Sequence, residues 1–109
     1  MGAGRSMKRY DKAVRDRIPD IIRAEGKQCV VKQVSDTEFL RYMERKLSEE
    51  LHEYAESKSP EELADLLEVI YRVAELQGME RDELETLREK KRKERGGFTD
   101  NLVLVSAEE

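Results

Sequence analysis

Residues 46–54 read KLSEELHEY, and the position of Glu50 within them governs how the rest of the chain is understood. At 100° per residue Leu40, Met43, Leu47, Leu51 and Tyr54 gather on one face, as an amphipathic helix requires. Glu50 falls between Leu47 and Tyr54 inside that apolar sector, and Glu53 lies at its edge. A carboxylate carried into a core must be paired, neutralised or bound to a cation, because burying it alone is costly. Either this helix is less buried than its pattern implies, or a positive charge is expected beside Glu50.

The flanking sequence delimits the helices. SDTE ahead of the stretch is a capping box, with Ser35 as cap and Glu38 reaching back, and it opens a helix through about Ser57. SKSPEELAD is a second start: Ser59 caps, Pro60 takes the first helical position and Glu62 is the reciprocal acid. That helix runs to about Gln77 with Gly78 as terminator, and Leu63, Leu66, Leu67, Ile70, Val73 and Ala74 form its stripe. A short helix is expected in RDRIPDIIRAEGK, with Pro19 in its first turn and Gly26 as its stop, and a last one over about 80–95, ending at Gly96-Gly97. QCVVKQV, 28–34, and Leu102 to Val105 read as two short strands that could pair as a ribbon packed on the helices. The expected fold is all-α, a small bundle of about four helices with a minor two-stranded β-ribbon.

The composition sets bounds on this. Of 109 residues 42% are charged and 6% aromatic, with no Trp, so the core is thin and rests on one stripe per helix. So small a core favours completion by oligomerisation, as a homodimer or higher homo-oligomer. The net charge of −4 gives no general attraction to nucleic acid or an anionic membrane, although acids dominate the middle and bases collect at both ends. One cysteine, Cys29, excludes an intrachain disulfide, suits a reducing cytoplasm and reads as a packing residue. No apolar run is long enough for a signal peptide or a membrane span. MGAGRS, 1–6, reads as an expression remnant before a natural start at Met7, with 7–109 as one domain.

Glu50 has company. Glu62 and Asp65 share a flank of the following helix, spaced as Glu50 and Glu53 are on theirs. Only Ser57 to Pro60 join the two helices, so they should be antiparallel neighbours that bring the pairs together. Four carboxylates on facing helices suit a hard divalent cation such as Mg²⁺ or Mn²⁺. A solvated acidic face is the competing reading, because E-x-x-E recurs by chance in Glu-rich helices. Glu49 points more outward but lies within reach of a metal's outer shell, and the lone His52 points to solvent.

The last helix mirrors the anomaly. Its apolar face, Leu84 and Leu87, continues into Arg88, Lys91 and Arg95. Cations near a helix C-terminus complement its dipole and snorkel. A polyanion held between Lys91, Arg95 and a metal cluster would also explain why bases extend an apolar stripe, and phosphates suit Arg and Lys. Lys12, Arg15 and Arg17 could add contacts, or form a solvated basic start.

The combination of EExxE (Glu49, Glu50, Glu53) with ELAD (Glu62 to Asp65) resembles the all-α nucleoside triphosphate pyrophosphohydrolase superfamily. That group includes MazG, the dimeric dUTPases and phosphoribosyl-ATP pyrophosphohydrolase. YDKAVRDRIPDII at Tyr10–Ile22 and KRKERGGF at Lys91–Phe98 are similar to a small single-domain MazG-like branch, so the resemblance spans roughly residues 8–105. Ala13 departs from the Leu more usual in that branch. The resemblance implies hydrolysis between the α- and β-phosphates of a nucleoside triphosphate, giving a monophosphate and pyrophosphate, in cleansing the pool of non-canonical nucleotides. It further implies that Glu50, Glu53, Glu62 and Asp65 ligate Mg²⁺, with Mn²⁺ as a substitute, and that Glu49 orients or deprotonates water. Lys91 and Arg95 would hold the phosphates, supported by Arg15, Arg17 and Lys12. The rival readings are a related hydrolase acting on phosphoribosyl-ATP or a nucleoside diphosphate, a non-catalytic helical interaction module, and, last, a nucleic-acid binder using residues 88–95.

Overall fold

A computed structural model describes residues 6–109, so all but Ser6 of the expected expression remnant lies outside the described residues. Four helices follow one another: α1 (Ile18–Ala24), α2 (Asp36–Ser57), α3 (Pro60–Leu76) and α4 (Arg81–Arg95). Their limits are set by local chemistry. Ser35 Oγ accepts from the Glu38 backbone N–H at 3.2 Å and starts α2. Ser59 Oγ accepts from the Glu61 N–H at 3.3 Å and starts α3 behind Pro60. Neither expected reciprocal bond from Glu38 or Glu62 is among the bonds the structure makes; the Glu62 carboxyl is drawn into the acidic cluster described below. The reciprocal capping box occurs instead at α4, between Glu80 and Glu83.

Gly26 and Gly78 close α1 and α3 in the left-handed region, at φ 78° and 89°. In each case the residue after the glycine donates back to the helix, Lys27 to Ile22 O at 3.3 Å and Met79 to Ala74 O at 2.9 Å. Glycine enters this conformation without the steric cost a Cβ would bring. Lys58, at φ 57°, makes the turn between α2 and α3 and donates to Tyr54 O.

The tertiary structure is centred on the α2–α3 hairpin, with α4 packed more sparsely on α3. Buried Met43 and Val69 meet between α2 and α3, and Ala13 of the N-terminal segment closes over them. Phe39, Tyr42, Leu47, Val73 and Leu76 pack around this cluster. Arg81 stacks on the Tyr71 ring at 4.1 Å and ties the start of α4 to α3. The helix α1 pairs with none of the others.

The expected β-ribbon does not form: among the described residues neither 28–34 nor 102–105 is a strand. A two-stranded ribbon needs an apolar bed to be stable. Here Val30 and Leu102 are each 87% exposed, and only Cys29 and Val34 are partly buried, the Cys29 Sγ 3.8 Å from Pro19 O. The result is an elongated molecule, 71 × 31 × 26 Å, with a radius of gyration of 19.3 Å. A compact chain of this length would have about 13 Å. Among the described residues no helix is long and apolar enough to cross a membrane.

Candidate metal centre

The α2–α3 contact carries an acidic flank beside its apolar core. Val69, beside Asp65, is buried, whereas Leu51, Leu63 and Leu67 of the expected stripes remain partly exposed. Antiparallel packing explains the pairing of these features. It turns the Glu49–Glu53 flank of α2 and the Asp65 flank of α3 to one side, and leaves the three leucines on the other.

Glu50 is thereby carried inward. It is 6% exposed, the only charged residue buried among those described, and its Oε2 has no hydrogen-bond partner. Carboxylate oxygens of Glu49, Glu50 and Glu53 lie within 4.8 Å of one another, as do those of Glu50, Glu62 and Asp65. Glu50 belongs to both groups and joins them. Burial pushes its carboxyl above the ordinary range; Glu53 and Asp65 add to the rise and Lys46 opposes it. Glu62 is raised as well, by desolvation and then by repulsion from Glu53 and Asp65. Both shifts record burial first and like charges held close second.

Three cations border the acids. Lys46 Nζ stands 3.7 Å from Glu50 Oε1 and 3.9 Å from Glu49 Oε1. Lys12 Nζ reaches Glu49 Oε1 at 3.1 Å, and Arg15 Nη2 reaches Asp65 Oδ1 at 2.7 Å. With all groups ionised, five carboxylates against three cations leave two negative charges uncompensated. A divalent ion matches that deficit. Oxygens within 4.8 Å of one another can share one hard divalent cation once the carboxylates draw in around it, since Mg²⁺ holds its ligands at about 2.0–2.1 Å. The orphaned Glu50 Oε2 supplies the observation that a solvated acidic face lacks, since a solvated group would have water to bond.

The expected phosphate-binding residues are dispersed. Lys12 and Arg15 are at the cluster, but as partners of its carboxylates. Arg17 sits exposed at the N-terminal end of α1, outside the ion pairs formed among the described residues. Lys91 and Arg95 are exposed on α4, which packs on α3 alone, and no ion pair links them to the five acids. Nearby Arg88, Glu89, Arg92 and Lys93 line an open depression on α4 that includes none of the five clustered acids. His52 pairs with Glu56 on the surface and takes no part. Lys46 is the functional neighbour that the sequence reading passes over. Its i, i+3 and i, i+4 spacing to Glu49 and Glu50 was the available signal.

No family model matches the chain, and no solved structure matches it. An uncharacterized protein from Mycolicibacterium smegmatis (strain ATCC 700084 / mc(2)155) is 48% identical over 40 residues. The match takes in 37% of this chain and 41% of that protein, so the chain spans less than half the length of the relative it matches.

Proposed function

We propose that the chain is a metal-dependent nucleoside triphosphate pyrophosphohydrolase that cleaves between the α- and β-phosphates. The observation that carries this reading is the buried, unpartnered Glu50 oxygen among the carboxylates of Glu53, Glu62 and Asp65. These four residues would hold Mg²⁺ or Mn²⁺. When bound, such an ion neutralises phosphate charge and lowers the pKa of a coordinated water. Glu49 stands at the rim with Lys12 and Lys46 both on its Oε1, and in this reading it orients the attacking water and accepts its proton. Lys46 limits the mutual repulsion of Glu49 and Glu50.

The choice of a triphosphate rests on the resemblance of the two acidic motifs and of the basic segments to the MazG-like branch. The same reading joins two chains through the partly exposed Leu51, Leu63 and Leu67, because a single chain buries few apolar side chains. A second copy would also give the exposed Lys91 and Arg95 a polyanion to face.

The test is pyrophosphate release from a panel of canonical and modified nucleoside triphosphates, with Mg²⁺, Mn²⁺ or EDTA. Metal-dependent release that drops by about 100-fold or more in Glu50→Gln and Asp65→Asn is the expected outcome. A folded protein that releases none across the panel overturns the assignment.

A further inference from the structure

Lys12 and Arg15 lie on one segment, yet each pairs with a different acidic group. Lys12 pairs with Glu49 of the α2 trio, Arg15 with Asp65 of the trio that spans α2 and α3. Between them Ala13, 6% exposed, is seated against the Met43–Val69 core. The segment thus lies across the mouth of the cluster and is pinned at its centre by apolar packing. Its cations cover the rim and leave Glu50 Oε2 unpartnered underneath. Lys46 differs from them, being part of α2 itself and mostly buried.

We propose that Lys12 and Arg15 form a cation latch over the metal centre. They occupy Glu49 and Asp65 until a divalent ion draws on those carboxylates, and are then freed to face the anion that accompanies the ion. This rests on reading the acidic cluster as a metal centre. Both pairs are solvent-accessible, so each is weak enough to be exchanged for a metal contact. The exchange gives the carboxylates a divalent ion in place of two monovalent contacts, while the freed cations stay beside the site to balance an accompanying anion. It also couples the two ligands: bound metal makes the anion-binding cations available, and a bound anion keeps them off the metal ligands. In this proposal the two ion pairs hold Lys12 and Arg15 beside the cluster, where an anion accompanying the metal could take them over.

The experiment titrates Mn²⁺ into the full chain, following free Mn²⁺ by electron paramagnetic resonance. Wild type, Lys12→Gln, Arg15→Gln and Lys8→Gln are compared, with circular dichroism to verify that each keeps its helices. Lys8 lies on the same segment and forms no ion pair among the described residues; its contact is with the Tyr10 ring. The latch variants should bind Mn²⁺ about three- to fivefold tighter, and Lys8→Gln should stay within about twofold of wild type. Saturating Mn²⁺ should also speed tryptic cleavage after Arg15 in wild type, which a purely long-range charge effect would not do. Unchanged affinity in both latch variants, an equal gain in Lys8→Gln, or cleavage indifferent to Mn²⁺ overturns the latch and leaves the metal centre standing. Absence of Mn²⁺ binding in every protein overturns both.

Discussion

Glu50 and Phe98 invert the usual order of a folded chain: the carboxylate is 6% exposed and the aromatic ring 98%. The first belongs to the α2–α3 hairpin, where two long helices pack along their acidic flanks. The second belongs to a C-terminal segment with apolar residues and nothing to lay them on. The hairpin packs around a cluster of carboxylates, one of them buried with an unpartnered oxygen. The arm keeps an apolar surface that a single copy does not cover. Packing and the acidic cluster are therefore concentrated in one region, and the other leaves its apolar side chains exposed.

This contrast can be broken most directly at the core. Met43→Ala removes a buried side chain from the hairpin and should cost about 2–4 kcal/mol, lowering Tm by more than about 8 °C. A thermal melt with a much smaller shift would show that the hairpin does not carry the fold.

An intermediate effect comes from pH. Glu50 and Glu62 bind protons more tightly folded than unfolded, with raised values against an ordinary 4.5. The stability they contribute is complete below 4.5 and is lost as pH rises through their folded values. Metal-free Tm should thus fall as pH rises above 4.5 across that window, and Mg²⁺ or Mn²⁺ should restore it at the upper end. Glu50→Gln should flatten the pH dependence and raise metal-free stability near neutrality by about 1 kcal/mol. A Tm independent of pH in wild type, or equally dependent in the variant, would remove strain from the account of the cluster.

The smallest effect is expected from the arm. Truncation after Gly97 should change the stability of the dilute monomer by less than about 0.5 kcal/mol. A large loss, or a loss that grows with protein concentration, would show that residues 98–109 are seated in an assembly.

What was legible in the sequence was local. Ser35, Ser59, Gly26 and Gly78 mark helix ends because caps and left-handed stops act within a few residues. The inward position of Glu50 was legible for a related reason: helical periodicity assigns it to the apolar face whatever the partner is. The short hairpin connection then sufficed to bring Glu62 and Asp65 toward it. Strand propensity at 28–34 and 102–105 misled, since a ribbon is stabilised by what it packs on rather than by its own residues. The stripes misled in part too. Of the expected stripes Met43, Leu47 and Val73 pack at the helix contact, while Leu51, Leu63 and Leu67 stay exposed and Val69 is buried in their stead.

The sequence by itself determined four helices, the Ser35 and Ser59 caps and a set of carboxylates at helical spacing, all products of interactions within a turn or two. Only the tertiary structure decided that Lys12 meets Glu49 across 37 residues and Arg15 meets Asp65 across 50. It also decided that Lys91 and Arg95 stand apart from the acids. Such pairings depend on how rigid helices dock, and side-chain packing at the contact selects that docking from alternatives that local sequence leaves equal.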